Sequence, residues 1–253
     1  MTDAQLIAEL LELAKRVARE AGELLQKRPD AFEISTKSSA IDVVTQMDSQ
    51  SESHIVSEIL KARPNDGIIG EEGSERTSKS GITWVIDPLD GTVNYLYGLP
   101  GWNVSIAAKD SKGVIVGVVE APTINSIWSA SRGGGAFLNG QAIACNEGVE
   151  LNRALIATGF TYDVDARLDQ LAQLSELLTR IRDIRRNGAA AVDLCHVAMG
   201  ALDGYFENGL KEWDLAAGGL IATEAGAKVT TVAGTTIAAA PALHATLEFR
   251  LNQ

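Results

Sequence analysis

Cysteine and histidine are scarce in this chain, and both shortages exclude kinds of site. Of its 253 residues, two are cysteine and three are histidine. Cys145 and Cys195 have no CxxC spacing, so we expect two buried free thiols and neither a disulfide framework nor a cysteine zinc site. His54, His196 and His244 are scattered, which gives no indication of a histidine zinc site or a Ser-His-Asp triad.

Long apolar runs and a basic leader are also missing. No stretch approaches the ~18 consecutive apolar residues that would span a bilayer. The N-terminus has no basic region, and acidic and basic residues at Glu9, Glu12 and Lys15 interrupt the segment that follows, so no signal peptide is predicted. We therefore expect a cytoplasmic protein with no membrane partner.

Basic residues are outnumbered. There are 22 Lys and Arg against 33 Asp and Glu, which gives a formal net charge of −11. A nucleic-acid-coating surface needs clustered Lys and Arg, so no nucleic-acid partner is expected. By itself the charge is also unfavourable for an anionic ligand.

What is present is typical of a globular, core-forming protein, with 45% hydrophobic and 22% charged residues. The sequence has no internal repeat and no Pro-, Gly- or Ser-rich linker. We predict one catalytic unit over residues 1–253, and a division into two sub-domains near 140–155 stays open.

Hydrophobic spacing predicts a mixed α/β protein. Apolar residues recur at helical spacing from Leu6 to Leu24, which predicts a helix over residues 3–27. Further helices are predicted over 48–60, 168–178, 189–199, 215–225 and from Pro241 onward. Strands are predicted over 82–86, 104–108, 114–120, 127–130, 154–158, 183–185, 205–207 and 228–231. The expected architecture is α+β, with sheets and helices in layers.

Acidic residues concentrate in three places that bear chemistry. They are residues 70–73 (Gly-Glu-Glu-Gly), residues 87–92 (Asp-Pro-Leu-Asp-Gly-Thr) and the Trp213-Asp214 pair at the predicted start of a helix. We expect the strand to stop at Asp87, because proline cannot donate a ladder hydrogen bond, and Asp90 to follow one turn later. Gly91 allows close backbone approach, and Thr92 can open a helix with free N–H groups.

Carboxylates that converge with no Lys or Arg alongside would repel one another, and a hard divalent cation resolves this. Oxygen ligands alone favour Mg²⁺ or Mn²⁺ over zinc, and a helix start beside the ion gives a place for phosphate. The plainer interpretation makes Glu71 and Glu72 a solvated pair and Asp87 and Asp90 turn caps. The six-residue run directly after a β-branched strand favours the metal site instead.

At these residues the sequence resembles the inositol monophosphatase family of metal-dependent, lithium-sensitive sugar phosphatases. Residues 84–95 and residues 213–227 are similar to the two signatures of the family, and residues 188–194 and 205–207 are similar to its substrate-binding stretch. Lys37 and residues 42–48 also fit. The resemblance covers nearly the whole chain and implies a layered αβαβα sugar-phosphatase fold and a homodimer.

The resemblance implies the following roles. The metal ligands would be Glu71, Asp87, the Leu89 carbonyl, Asp90 and Asp214, which hold two or three Mg²⁺ ions. The catalytic residues would be Glu71, Thr92 and Asp48, of which Thr92 and Asp48 orient a metal-activated water for direct attack, without a phosphoenzyme. The substrate-binding residues would be Glu71, Leu89, Asp90, Gly91, Thr92, Gly188, Ala189, Ala190, Glu207 and Asp214.

The resemblance ranks inositol 1-phosphate first among substrates but does not select it alone. Residues 93–95 and Glu207 match the inositol branch, whereas Ala189 replaces the Ser or Thr that relatives often carry. Histidinol phosphate, fructose 1,6-bisphosphate and nucleotide 3′-phosphates or NADP remain alternatives. Arg185 and Arg186 could face an anion or a partner subunit, or be structural.

Two other classes compete with this interpretation. Haloacid-dehalogenase-type phosphatases use two aspartates spaced by one residue, whereas two residues separate Asp87 from Asp90 and the first is proline. A non-catalytic regulatory or binding role on the same fold is the second rival, since fold does not fix function. Under the metal hypothesis four carboxylates meet four positive charges from two Mg²⁺ ions, so the net charge of −11 no longer argues against phosphate.

Overall fold

The computed structural model describes residues 3–37 and 39–251. Residues 1, 2, 38, 252 and 253 belong to the predicted unit 1–253 but lie outside the described residues. The helices are α1 (Asp3–Gln26), α2 (Gln46–Ala62), α3 (Thr92–Tyr97), α4 (Val164–Leu178), α5 (Ala190–Ala198), α6 (Glu212–Glu224) and α7 (Pro241–Leu251). The strands of the first half are β1 (Ile34–Thr36), β2 (Val43–Thr45), β3 (Gly67–Gly70), β4 (Glu75–Arg76), β5 (Thr83–Asp90), β6 (Asn103–Asp110), β7 (Gly113–Ala121), β8 (Ser126–Ser131), β9 (Gly135–Leu138) and β10 (Gln141–Ile143). Those of the second half are β11 (Leu155–Thr158), β12 (Asp183–Arg185), β13 (Gly204–Asn208), β14 (Lys228–Val232) and β15 (Thr235–Ala239).

The largest sheet has eight strands in the order β10-β9-β8-β7-β6-β5-β3-β4. Only the β3–β5 pair is parallel among its described strands. Side chains alternate between its two faces, so that in β6 Val104 and Ile106 contact one core cluster while Ala107 contacts the other. Strands β1 and β2 form a separate antiparallel pair.

The second large sheet has five strands in the order β12-β11-β13-β15-β14. Strand β11 pairs in parallel with β12 and β13, and the remaining pairs are antiparallel. All of its strands follow residue 154, and those of the eight-stranded sheet precede residue 144. The sub-domain division near 140–155 stays a prediction.

The layers follow from which faces are apolar. Helices α1 and α2 cover one face of the eight-stranded sheet, and α5 and α6 cover the other. The five-stranded sheet packs on the far side of α5, and α4 and α7 cover its outer face. The expected αβαβα layering is therefore confirmed.

Close packing of the middle helix layer depends on small residues. A Cβ atom on Gly117 in β7 would lie 2.9 Å from the Cα and carbonyl oxygen of Ala217 in α6. A Cβ on Gly218 would lie 2.9 Å from the Cβ of Leu194 in α5. These glycines let α6 approach both the sheet and α5, and this approach brings the start of α6 to the acidic strand end.

The prediction that the acidic strand stops at Asp87-Pro88 is wrong. Strand β5 continues to Asp90, and its register with β6 shifts between Asp87 and Asp90. Pro88 lies inside that irregularity, where the sheet requires no backbone hydrogen bond from it, so its lack of an N–H does not interrupt the strand. Asp90 is therefore on the strand and not one turn beyond it.

The other predicted helices and strands are confirmed, most of them with shifted ends. Helix α2 begins at Gln46 and α6 at Glu212, two and three residues before the predicted starts. Cys145 and Cys195 are free and buried. In the described ranges, no helix is both long enough and apolar enough to cross a bilayer.

Candidate active site

The predicted site residues meet around one cavity of about 720 Å³. The end of β5, the turn after β3 and the starts of α3, α5 and α6 surround it. The predicted residues that line it are Glu71, Asp90, Gly91, Gly188, Ala189, Ala190, Glu207 and Asp214. Asp48, Asp87, Leu89 and Thr92 are not among the lining residues; the first three are buried, and Thr92 is half-buried.

Strand β5 supplies two buried acids, Asp87 and Asp90. Oδ1 of Asp87 accepts the Leu89 N–H at 3.0 Å, and the side chain is 2% exposed. Burial, followed by the charges of Glu71, Asp90 and Asp214, raises the pKa of Asp87 well above its ordinary value. This carboxylate therefore lies where added positive charge stabilises it most.

Asp90 is held by two donors that converge on one oxygen. Its Oδ2 accepts the Asn103 side-chain N–H and the Ala191 backbone N–H, both at 2.9 Å. Burial raises the pKa of Asp90 to about 6, although these two hydrogen bonds oppose the increase. The donor from Ala191 ties the end of β5 to the first turn of α5.

Gly91 and Thr92 form the start of α3. Gly91 has φ of +85°, and a Cβ there would lie 3.2 Å from the Cβ of Ala189. Glycine relieves both the backbone strain and the close approach to the segment before α5. Thr92 follows as the first helical residue, as predicted.

The hydroxyl of Thr92 is shared between two acceptors. It lies 2.9 Å from Oδ1 of Asp48 and 3.1 Å from the carbonyl oxygen of Leu89. The other Asp48 oxygen accepts the backbone N–H and the hydroxyl of Thr45, which makes Asp48 the third residue of a capping box on α2. Burial raises the pKa of Asp48 against these hydrogen bonds.

The expectation that no Lys or Arg stands beside these carboxylates is wrong. The Lys37 ammonium lies 2.9 Å from Oε1 of Glu71 and also donates to Glu72. Burial alone would lower the pKa of Lys37, but the two glutamates raise it above its ordinary value. Burial raises the pKa of Glu72 to about 7, and Lys37 opposes that increase. The lysine comes from the segment between β1 and β2, 34 residues before Glu71, so no local motif contains both residues.

Asp214 is the third residue of α6, and its Oδ2 accepts the Lys211 N–H at 2.6 Å. Burial raises its pKa to about 8, with further contributions from Asp90, Glu71 and Glu207, while the Lys211 N–H lowers it. The Ser105 hydroxyl donates to the Trp213 carbonyl at 3.3 Å and ties this helix start to β6.

The donor chemistry of this cluster fits a hard divalent cation. Within residues 3–37 and 39–251, no three Asp, Glu, His or Cys side chains already form a ready-made metal cage. Nevertheless Asp87, Asp90 and Asp214 are carboxylates whose charged forms are disfavoured by burial and by one another. Oxygen donors of this kind suit Mg²⁺ and Mn²⁺.

Glu207 in β13 is a further acid that lines the cavity. Oε2 of Glu207 accepts the Tyr205 hydroxyl at 2.6 Å. Burial raises the pKa of Glu207, and the Tyr205 hydrogen bond opposes it. A Cβ on Gly159 would lie 1.9 Å from this oxygen, so only glycine leaves room for the carboxylate. Gly159 is not among the predicted site residues; its one signal in the sequence is its place directly after the predicted strand 154–158.

Arg185 and Arg186 have different surroundings. Arg185 is exposed; it pairs with Asp183 at 2.9 Å and donates to the Ile184 carbonyl oxygen at 2.7 Å. Arg186 lines the cavity.

The order of elements, the layers and this acidic cavity define the class of the protein. Residues 6–250 match the model of the inositol monophosphatase family, and the chain belongs to that family. The predicted resemblance is confirmed.

Similar proteins carry two kinds of name. Inositol-1-monophosphatase SuhB of Mycobacterium tuberculosis is 40% identical over 242 residues, which cover 88% of this chain and 83% of that protein. Nus factor SuhB of Haemophilus influenzae is 43% identical over 225 residues, which cover 87% of this chain and 84% of that protein. The crystal structure of extragenic suppressor protein suhB from Bartonella henselae superposes with a TM-score of 0.92 at 33% identity and covers 97% of this chain and 99% of that one. The structure of Thermotoga maritima IMPase superposes with a TM-score of 0.88 at 31% identity and covers 96% of this chain and 97% of that one.

Proposed function

We propose that this protein is a Mg²⁺-dependent phosphomonoester hydrolase and that inositol 1-phosphate is its substrate. Family membership supports a phosphatase. The observation that carries the proposal is a set of three carboxylates, the buried Asp87 and Asp90 and the half-buried Asp214, beside the Thr92–Asp48 hydrogen bond.

The residues that would hold the cations are Glu71, Asp87, the Leu89 carbonyl, Asp90 and Asp214. Two or three Mg²⁺ ions, or Mn²⁺ in their place, would supply positive charge and a Lewis acid for the phosphoryl oxygens and for water. Lys37 holds Oε1 of Glu71, so a cation would bind the other carboxylate oxygen or displace the lysine from Oε1.

Thr92 and Asp48 would orient water and take up its proton. Because the Thr92 hydroxyl donates to Oδ1 of Asp48, its oxygen is free to accept a hydrogen bond from water. As the water attacks phosphorus, its proton passes to Oγ1 of Thr92 while the hydroxyl proton passes to Asp48. The backbone N–H groups of Gly91 and Thr92 would hold phosphate oxygens, and no phosphoenzyme forms.

Gly188, Ala189, Ala190 and Glu207 would bind the alcohol half of the substrate. A carboxylate that accepts from a ring hydroxyl penalises substrates that lack it, because the acceptor is then left unpaired. Histidinol phosphate, fructose 1,6-bisphosphate and nucleotide 3′-phosphates or NADP are the alternatives within the family. Initial rates on these compounds and on inositol 1-phosphate at one Mg²⁺ concentration rank them; a faster alternative would replace inositol 1-phosphate in the proposal.

A haloacid-dehalogenase-type route predicts a covalent aspartyl phosphate. Quenching the reaction in borohydride would reduce that acyl phosphate to homoserine, and mass spectrometry would find the change at Asp87. We expect unmodified Asp87.

A regulatory role is the second candidate function, because the relatives from Haemophilus influenzae and Pasteurella multocida are named Nus factor SuhB. The two candidates differ in turnover. A folded protein that binds Mg²⁺ and hydrolyses none of the substrates above would favour the regulatory role.

We also propose that the chain forms a homodimer, as the family resemblance implies. Light scattering of the protein as it elutes from a size-exclusion column measures the mass that tests this.

A further inference from the structure

One face of helix α2 carries three buried polar side chains spaced as i, i+3 and i+4. They are Asp48, Ser51 and Glu52, with exposures of 1%, 0% and 3%. Buried polar groups have to be hydrogen-bonded, so their partners define what this face does. Residues at this spacing lie side by side on a helix.

Each of the three side chains holds a different segment of the site. Asp48 accepts the Thr92 hydroxyl at the start of α3, and the Ser51 hydroxyl donates to the Pro88 carbonyl in β5 at 2.8 Å. Glu52 accepts two backbone N–H groups in the turn after β3. Its Oε2 lies 2.9 Å from the Glu72 nitrogen, and its Oε1 lies 2.9 Å from the Ser74 nitrogen.

The turn is shaped around the Glu52 carboxylate. A Cβ on Gly70 would lie 2.4 Å from Oε2 of Glu52, so any side chain at position 70 would displace the carboxylate. On the other side, the Glu71 N–H donates to the Ile86 carbonyl at 3.1 Å, next to Asp87. Glu71 is thus fixed between the edge of β5 and the two N–H groups that Glu52 holds.

We propose that Glu52 is a positioning residue for the cation site, which sets the place of Glu71 by anchoring the backbone on its C-terminal side. This inference rests on the proposed function. An ionised carboxylate is acceptor-only and satisfies both N–H groups. Glutamine at position 52 would place its NH₂ group against one of these N–H groups and lose that hydrogen bond. The turn after β3 would then be held by one hydrogen bond from residue 52 instead of two.

The variant that tests this is Glu52→Gln, with Glu58→Gln as a matched control. Glu58 lies on the same helix and pairs with Arg16 at the surface, 3.0 Å away. Binding of Mn²⁺ to the purified full chain without substrate is measured by electron paramagnetic resonance, and the half-saturating Mg²⁺ concentration is measured by phosphate release. We expect Glu52→Gln to weaken Mn²⁺ binding and raise the half-saturating Mg²⁺ concentration by about tenfold, or ~1.4 kcal/mol. At saturating Mg²⁺ its kcat should stay within about threefold of the parent.

A general structural defect would lower kcat at every Mg²⁺ concentration, and that outcome overturns the proposal. Gly70→Ala is a second test, because its methyl group would displace the Glu52 carboxylate although residue 52 is still glutamate. We expect the same weakening of Mn²⁺ binding. If Glu52→Gln fails to fold, the result for Gly70→Ala decides. Unchanged Mn²⁺ affinity in the folded variants, with normal binding by the parent, overturns this proposal alone. A parent chain that binds no Mn²⁺ overturns the proposed function as well.

Discussion

The Thr92 hydroxyl lies 2.9 Å from Oδ1 of Asp48, which joins the start of α3 to the first turn of α2. Asp48 also caps α2 through Thr45, so a change at Asp48 alters both the helix and the proposed proton path. Thr92 takes no part in the cap of α2, so a change at Thr92 tests the proposed proton path without altering that cap.

Thr92→Val removes the hydroxyl and keeps the shape of the side chain. We expect kcat for phosphate release to fall about 100-fold or more, the usual contribution of a positioned proton acceptor. Thr92→Ser keeps the hydroxyl and should retain most of the activity. A valine variant as active as the serine variant would remove Thr92 from the proton path.

The pH dependence of stability in chelator follows from Asp90 and Asp214, whose pKa values are raised to about 6 and about 8 from 3.8. The folded state then binds these protons more tightly than the unfolded state. Their contribution is complete below the ordinary pKa and is lost as the pH rises through about 6 and then about 8. We expect Tm in chelator to fall between about pH 5 and about pH 8.5.

Mg²⁺ should reverse that loss, because it stabilises the charged carboxylates. Its effect on Tm should be larger at about pH 8.5 than at about pH 5.5, and calorimetric scans at both values measure the difference. An increase in Tm that is independent of pH would show that these carboxylates do not bind the ion.

If Glu71 binds the cation as proposed, Lys37 competes for it, because its ammonium holds Oε1 of that residue. We expect Lys37→Gln to bind Mn²⁺ about two- to fivefold more tightly, the range that a half-exposed ion pair is worth. Lys112→Gln makes the same charge change in the turn between β6 and β7 and should leave Mn²⁺ binding unaltered. Weaker binding in Lys37→Gln would mean that the lysine supports the metal site.

The packing of α6 on β7 predicts a stability effect at Gly117. A methyl group there would meet the backbone of Ala217 at 2.9 Å, and neither element can move without disturbing the core. We expect Gly117→Ala to lower the free energy of unfolding by about 1–3 kcal/mol in urea titrations. Ser57→Ala, on the exposed side of α2, should change it by less than about 0.5 kcal/mol.

The motif at residues 87–92 could be predicted from the sequence because all its residues are close together along the chain. A buried strand, two acids and a Gly-Thr pair stand within a few residues, and the structure places them at one strand end. The continuation of the strand through Pro88 could not be predicted, because it depends on a register shift against β6 that forms only in the folded sheet.

Residues that act at a distance were harder to predict. Lys37 and Glu52 reach the turn after β3 from 34 and 20 residues away. No spacing rule connects them to Glu71. Gly159 is required only because Glu207 arrives from β13. Strands β1 to β4, β9, β10 and β15 were missed; they have two to five residues each, and an alternating pattern over so few residues is weak evidence.

Under the proposed function, hydrolysis depends on a cation that Asp87 holds. The most direct measurement is phosphate release from inositol 1-phosphate by the parent chain and by Asp87→Asn, with Mg²⁺ and with chelator, after circular dichroism shows that the variant is folded. We expect the parent to turn over substrate in Mg²⁺, and we expect this turnover to be lost both in chelator and in the folded variant. Full turnover by folded Asp87→Asn would contradict this expectation.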